Sequence, residues 1–318
     1  MSDIVHVAAA VIVNKDDQVC ISLRHKDSHQ GGLWEFPGGK IEQHETPEQA
    51  LLREIKEELD LDIGKLRPLI TIAHDYDDKK VCLHVYKVLD YHGHATGVEG
   101  QLVKWLAVDQ LSSLEFPAAN LPIIRAVQLP EKYLITGKFS DEDDFLRKLT
   151  NALNEGIQLV QLRLKDGDLS IEKVPALIQQ VSSLCTQADA KLLFNIPQDY
   201  LKSVDIPNTK FHGFHADSKT LKTLSQRPDG QFFSASCHNE EELLKAKQLD
   251  ADFVVLSPVQ KTASHPDMQA MGWTQFSHLL ENITVPVYAL GGVSENDLEA
   301  AWQHGAQGIA AISALWES

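Results

Sequence analysis

Cysteine is scarce and scattered. Cys20, Cys82, Cys185 and Cys237 are the four in 318 residues, with no C-x-x-C pair among them. Isolated thiols exclude a disulfide framework and predict a reducing compartment with no zinc site. Basic charge is short as well: 29 Lys and Arg stand against 45 Asp and Glu, a net charge of −16. A nucleic-acid groove needs a basic stripe, so we expect no nucleic-acid partner. An anionic small substrate stays open, because bound metal can supply positive charge locally. No apolar run approaches the roughly 18 residues of a membrane span, and the opening MSDIVHV lacks the basic n-region of a signal peptide. The expectation is a cytoplasmic protein without membrane contact. Low-complexity sequence is missing too, so no long linker separates the halves.

What is present can build two cores. A chain of this length with 43% hydrophobic residues fits two domains. Leu129-Pro130-Glu131 is a plausible boundary, giving domains over 1–129 and 131–318. The first is organised around Gly38–Leu61, GGKIEQHETPEQALLREIKEELDL. Thr46 can cap a helix, Pro47 suits its first position, and Gln49 completes a capping box. At about 100° per residue, Glu54, Glu57 and Glu58 converge on one face. Leu51, Leu52, Ile55 and Leu59 fall on another and should pack on a core. Like charges at that spacing repel, so a cation must compensate them. An oxygen-only carboxylate cluster suits Mg²⁺ or Mn²⁺. The bland alternative is a solvated acidic helix face.

Gly39, Glu45, Arg53, Glu54, Ile55, Glu57, Glu58 and Leu61 resemble the Nudix box, G-x5-E-x7-R-E-U-x-E-E-x-G-U. Asp60 stands where that family has glycine, and Asp tolerates the left-handed turn that ends a helix. The flanks narrow the likeness. Trp34–Glu42, the E-G-Q segment at Glu99 and the F-P-x-A-N segment ending at Asn120 resemble MutT-type 8-oxo-dGTP diphosphatases over nearly all of residues 1–128. The resemblance implies metal ligands at Glu54, Glu57, Glu58 and Glu99, assisted by the backbone at Gly38. It implies an Arg53–Glu45 ion pair bracing the box, and Arg24, His29, Phe36 and Asn120 facing a nucleoside triphosphate. Lys79 replaces a further contact arginine and loses its bidentate geometry. The implied reaction is hydrolysis of 8-oxo-dGTP to 8-oxo-dGMP and diphosphate, which keeps a mutagenic nucleotide out of DNA. Either Glu54 or Glu99 would take the proton of the attacking water. A different diphosphate, such as damaged thiamine diphosphate, is the alternative substrate.

Asn120 has a physical case as lesion reader. Guanine offers acceptors N7 and O6 on its major-groove edge. Oxidation at C8 places a proton on N7, making that edge donor plus acceptor. An asparagine amide carries the complementary pair. A polar partner left unpaired can discriminate by about 10⁴-fold. The competing role is N-cap of a helix over Leu121–Val127. Around this segment the chain reads as strands His6–Val13 and Gln18–Arg24 about a turn, a polar loop His25–Gly32, and a strand pair Leu66–His74 and Lys80–Leu89. A further strand covers Leu102–Ala107. His84, His92 and His94 lack ligand spacing and read as ordinary strand or surface histidines.

The second half alternates short apolar strands with helical patterns. The strands are Tyr133–Gly137, Leu159–Leu164, Lys191–Ile196, Phe211–Ala216, Phe232–Cys237, Phe253–Val259, Val285–Gly292 and Gly308–Ser313. Near-continuous apolar strands of this kind fit a TIM (β/α)8-type barrel. The whole chain is thus expected to be α/β, an α/β/α sandwich with a mixed sheet followed by that barrel. Little chain remains for an eighth helix, so the gap should be covered by the segment before the first strand or by the first domain. Chemistry in such barrels sits at the carboxyl ends of the strands. Arg163, Lys165 and His238 lie there, and Gly291, Gly292 and Ser313 follow strands seven and eight, where a phosphate cradle is usual. The pattern resembles the thiamine-phosphate synthase and TenI family across 133–316. That likeness implies a small phosphorylated ligand and a proton shuttle at His238. Ile196-Pro197 stands where synthases carry a metal ligand and a diphosphate contact, and the acid after strand four is out of register. A tautomerase or a non-catalytic scaffold fits this departure better than a synthase. Oligomeric state is not legible.

Overall fold

The computed structural model describes residues 4–229, 232–262 and 269–317. The chain divides into two compact units: the first runs to Leu129 and takes in Leu280–Pro286, the second holds Pro130–Leu279 and the chain from Val287.

The first unit is built from β1 (Val5–Ile12), β2 (Gln18–Leu23), β3 (Trp34–Glu35), β4 (Gly38–Lys40), α1 (Pro47–Leu59), β5 (Asp62–Ile63), β6 (Leu66–Tyr76), β7 (Lys79–Val88), β8 (Tyr91–His92), β9 (Val103–Ala107) and α2 (Leu121–Val127). Its main sheet runs β4-β1-β7-β6, with β1 parallel to β7 and the other pairs antiparallel. β3-β2-β9 form a second sheet. β1 and β2 therefore do not pair as a hairpin: they join different sheets and share only the bridge Val13–Val19. The alternation along β1 divides the core. Ala8, Ala10 and Ile12 pack with Ala50, Leu51, Ile55 and Leu59 of α1, while Ala9 and Val11 pack with Ile123, Ile124 and Ala126 of α2. This is the expected sandwich around a mixed sheet.

α1 starts as its sequence predicts. Gln49 N donates to Thr46 Oγ1 at 3.3 Å and Thr46 N to Gln49 Oε1 at 2.9 Å. It ends at Asp60 in the left-handed region, φ 52°. Leu52 does not join the core: it is 43% exposed. It lies about 100° from Leu51, at the edge of the buried stripe, where a leucine reaches water.

The second unit begins with β10 (Lys132–Ile135), α3 (Glu142–Asn154), β11 (Leu159–Arg163), α4 (Val174–Gln187), β12 (Lys191–Asn195) and α5 (Gln198–Ser203). It continues with β13 (Gly213–Ala216), α6 (Ser218–Thr223), β14 (Phe232–Cys237), α7 (Glu240–Gln248), β15 (Phe253–Leu256), α8 (Gly272–Leu280), β16 (Val287–Leu290), α9 (Leu298–Gln303), β17 (Gly308–Ala311) and α10 (Ser313–Trp316). β10 to β17 close in chain order into a barrel, every pair parallel. All eight predicted strands are present, β14 with the bounds read and the other seven slightly shorter. α10 is a single turn, yet it seals its side of the barrel. Trp316 is 1% exposed, stacks edge-on against Phe145 at 4.9 Å, and donates Nε1–H to Lys138 O at 3.0 Å.

Candidate active sites

In the first unit β4 meets the middle of α1. Gly38 runs so close to β1 that a Cβ there would stand 2.1 Å from Ala8 O. Gly39 packs directly on the Glu54 carboxyl, where a Cβ would meet its carbon at 2.1 Å. The turn needs glycine at Gly38, whose clash is with backbone and whose φ is 148°, while a side chain at Gly39 would displace the Glu54 carboxyl. Gly38 N donates to Glu58 Oε2 at 3.1 Å. Arg53 forks onto Glu45, Nε to Oε1 at 2.8 Å and Nη2 to Oε2 at 2.9 Å, so the expected ion pair is in place. That hydrogen-bonded pairing holds the Glu45 carboxyl down at about 2. The same arginine reaches Glu54 at 2.8 Å and Glu57 at 3.3 Å through Nη1.

Glu58 is the electrostatic centre. Burial, then the negative charge of Glu35, pushes its carboxyl up to about 8, with Glu54 and Glu99 adding to the effect. Glu99 sits on the Gly97–Gln101 loop. Gln101 ties that loop to the helix, its Nε2 donating to Glu58 O at 2.9 Å. Glu35, Glu54 and Glu99 thus all act on Glu58, and every one of these groups offers hard oxygen donors. The donor set fits Mg²⁺ or Mn²⁺. Glu35 was not among the predicted site residues. Burial pushes it to about 7 against the opposing charge of its partner Arg24. Its only sequence signal is an acid one residue before the Phe36-Pro37-Gly38 turn.

Beside the carboxylates, Arg24 holds the His25–Gly32 loop by donating Nη2 and Nε to His29 O at 2.7 and 3.0 Å. His29 in turn meets Asp78 Oδ1 at 3.2 Å and packs edge-on to Tyr76. Tyr76 Oη accepts from Ala119 N at 3.3 Å, which links the loop to the Asn120 segment. Neither Tyr76 nor Asp78 was expected; their places depend on the β6–β7 turn. Lys79 opens β7 next to that turn. Phe36 differs from expectation in its side chain, which is buried in the core and stacked on Phe116. What it presents toward Asn120 is its backbone: Phe36 N donates to Asn120 Oδ1 at 3.4 Å. Asn120 is 8% exposed and makes no side-chain cap to α2. The helix-cap alternative is therefore not what this side chain does.

In the barrel, a polar chain crosses the interior. Asn195 Nδ2 donates to Gln161 Oε1 at 2.9 Å, and Gln161 Nε2 to Tyr133 Oη at 3.0 Å. Tyr133 Oη lies 3.3 Å from His215 Nδ1, which also contacts Ser234 Oγ at 2.7 Å, while Nε2 meets Ser236 Oγ at 2.8 Å. Complete burial drives His215 down to about 3, keeping the ring neutral. His238 Nδ1 lies 3.0 Å from Glu242 Oε2, whose other oxygen accepts from Ser218 Oγ at 2.7 Å. Burial disfavours the Glu242 anion, but Ser218, Lys222 and His238 outweigh it and hold the carboxyl at about 2. This charged partner orients the imidazole. Arg163 stands at the end of β11 and Lys165 is exposed just beyond. Gly291 and Gly292 have φ 98° and 70°. Side chains there would strike Pro258 Cα at 2.8 Å and Lys261 O at 2.5 Å, so both glycines also let the loop after β15 pack. Ser313 opens α10. Asp217 caps α6, accepting from Thr220 N at 2.8 Å, so its carboxylate is engaged away from any diphosphate role.

Fold and sites together define a bipartite α/β protein, an acidic-box sandwich joined to a parallel barrel. Residues 8–126 match the NUDIX domain model and residues 132–315 the thiamine monophosphate synthase model. The chain belongs to the Nudix hydrolases through its first part and to the thiamine monophosphate synthase/TenI family through its second. An 8-oxo-dGTP diphosphatase of Proteus vulgaris is 46% identical over 95 residues, 30% of this chain and 85% of that protein. The 8-oxo-dGTP diphosphatase of Escherichia coli is 35% identical over 118 residues, 37% of this chain and 92% of that one. A thiamine-phosphate synthase of Geobacillus thermodenitrificans is 29% identical over 188 residues, 58% of this chain and 83% of that protein. The first part is an enzyme of phosphorus-containing anhydride hydrolysis.

Proposed function

We propose that the first unit hydrolyses 8-oxo-dGTP to 8-oxo-dGMP and diphosphate with Mg²⁺, and that the barrel binds a small phosphorylated ligand. The observation that carries the reading is Asn120, a buried amide held at the backbone of Phe36, the residue that follows Glu35, and not spent on helix capping. The diphosphatase relatives support the substrate class.

Glu54, Glu57, Glu58 and Glu99, with the Gly38 backbone, would hold the ion. Bound there, it would supply the positive charge that makes the phosphates open to attack. The chain's own residues do the remainder. Arg53 keeps Glu45, Glu54 and Glu57 in register. Glu54 or Glu99 accepts the proton of the attacking water. Arg24 fixes the His29 loop, and Asn120 matches the oxidised edge of the base. Fusion to a thiamine-family barrel favours one competitor, damaged thiamine diphosphate.

Product analysis of the full chain over 8-oxo-dGTP, dGTP, CTP, thiamine diphosphate and its oxidised forms tests the assignment. We expect the highest kcat/KM for 8-oxo-dGTP. A higher value for a thiamine diphosphate would replace it. Glu57→Gln should lose orders of magnitude in kcat while folding normally, and near-normal turnover would remove the box from the mechanism.

A further inference from the structure

The register of β1 against β7 places His6 opposite Cys82, and His84 follows two residues on, on the same face. Their donor atoms converge. His6 Nδ1 lies 3.0 Å from His84 Nε2, and Cys82 Sγ lies 3.7 Å from the same nitrogen. All three donors fall within 4.8 Å of one another. For metal–nitrogen bonds of about 2.05 Å and metal–sulfur bonds of about 2.3 Å, a tetrahedral centre spaces its donors about 3.3 Å (N to N) and about 3.6 Å (N to S) apart. The observed spacings sit close to both.

We propose that His6, Cys82 and His84 form a second metal site, for a zinc-class transition ion, with a fourth position open to water. The unpaired cysteines of the sequence argue against a zinc site because ligand spacing is read along the chain. Here the set is assembled across two parallel strands, so no local motif exists to be seen.

Further observations fit. The ligand type is borderline-soft, nitrogen and sulfur, which separates this site from the all-oxygen cluster on α1. Glu48, held by Tyr86 Oη at 2.9 Å, carries negative charge toward His84 from the start of α1. Thiolate and carboxylate together balance a divalent ion. On the other side, β6 sets Thr71 opposite His84 and Ala73 opposite Cys82, both exposed, so small residues leave an entry path. The other three cysteines are buried. The site lies on the sheet face covered by α1 and would clamp the start of β1 to β7.

The test is Co²⁺ titration of the full chain in excess Mg²⁺, which occupies the carboxylate cluster. One equivalent should bind with a thiolate-to-cobalt charge-transfer band and the intense visible bands of a tetrahedral ion, and Zn²⁺ should abolish both. Cys82→Ser should lose the charge-transfer band, and His6→Ala, at an exposed position, should weaken Co²⁺ binding at least tenfold. Zn²⁺ should raise the Tm of the wild type and not of Cys82→Ser. Cobalt bound without a thiolate band, unchanged binding in either variant, or no uptake beyond the carboxylate cluster would each overturn the proposal.

Discussion

In the proposed reaction Asn120 is the side chain on which the substrate preference rests. Its Oδ1 accepts from Phe36 N and keeps a second lone pair for the N7–H of an oxidised guanine, while Nδ2 is the donor for O6. A bidentate amide–base pair discriminates by about 1–3 kcal/mol. Asn120→Ala should therefore lower the preference for 8-oxo-dGTP over dGTP by about ten- to a hundredfold, with a much smaller loss on dGTP itself. Steady-state kinetics on both nucleotides check this, and an equal loss on both would leave Asn120 a packing residue. Sequence pattern alone could name Asn120 but could not choose between cap and reader, because both use the same residue at the same position. What removes the cap role is the contact with Phe36, distant in the chain. Glu35 was missed for a related reason: an isolated acid has no period, and its raised proton affinity comes from burial that only the folded sheet provides.

At the level of elements, legibility follows the range of the interactions. α1 could be read nearly whole, because its capping box, its apolar stripe and its Asp60 end are local. The barrel strands could be read because burial on both faces makes each a continuous apolar run. Pairing was not legible: β1 and β2 look like a hairpin, and long-range contacts with β7 and β9 override it. The inner polar chain was equally hidden, since Tyr133, Gln161, His215 and Ser234 come from four strands. His215 has a measurable consequence there. Its folded value, about 3, lies below that of an unfolded histidine, so the unfolded chain binds the proton first. The stability it contributes is present above pH about 6.5 and is lost as pH falls toward 3. Melting temperatures across that window should fall more steeply for the wild type than for His215→Asn, whatever the variant costs at neutral pH. Identical slopes would mean the ring is not kept neutral. Trp316 makes a second case. Four residues of helix replace a full one because a single indole fills the gap against Phe145. Trp316→Ala should cost the barrel about 3–5 kcal/mol in denaturant unfolding. A loss under about 1 kcal/mol would place the seal elsewhere.

For the molecule as a whole, a Nudix unit and a thiamine monophosphate synthase-family barrel share a chain, and they differ in how they can hold charge. The first concentrates carboxylates that only a cation can reconcile. The second has neutral or cationic groups at the carboxyl ends of its strands: Arg163, Lys165 and His238, with the glycine turn after β16 and Ser313 after β17. Where synthases of this family carry a metal ligand, it has Ile196 and Pro197, and Pro197 leads straight into α5. Asp217, the nearest acid after β13, is occupied in capping α6. A diphosphate leaving group needs electrostatic clamping, the main source of rate in such displacements, and a rim whose nearest carboxylates, Asp217 and Glu242, already hold Thr220 N and His238 has little left to hold a bridging metal. A single phosphate needs only donors and a cation. We therefore expect the barrel to bind a thiazole phosphate carboxylate in calorimetric titration. We expect no thiamine-phosphate synthase turnover when the full chain is given both synthase substrates with Mg²⁺. Arg163→Ala should weaken the titrated binding at least tenfold and leave hydrolysis of 8-oxo-dGTP unchanged. Robust synthase turnover would refute the charge argument, and no binding of any phosphorylated ligand would leave the barrel a scaffold for the hydrolase.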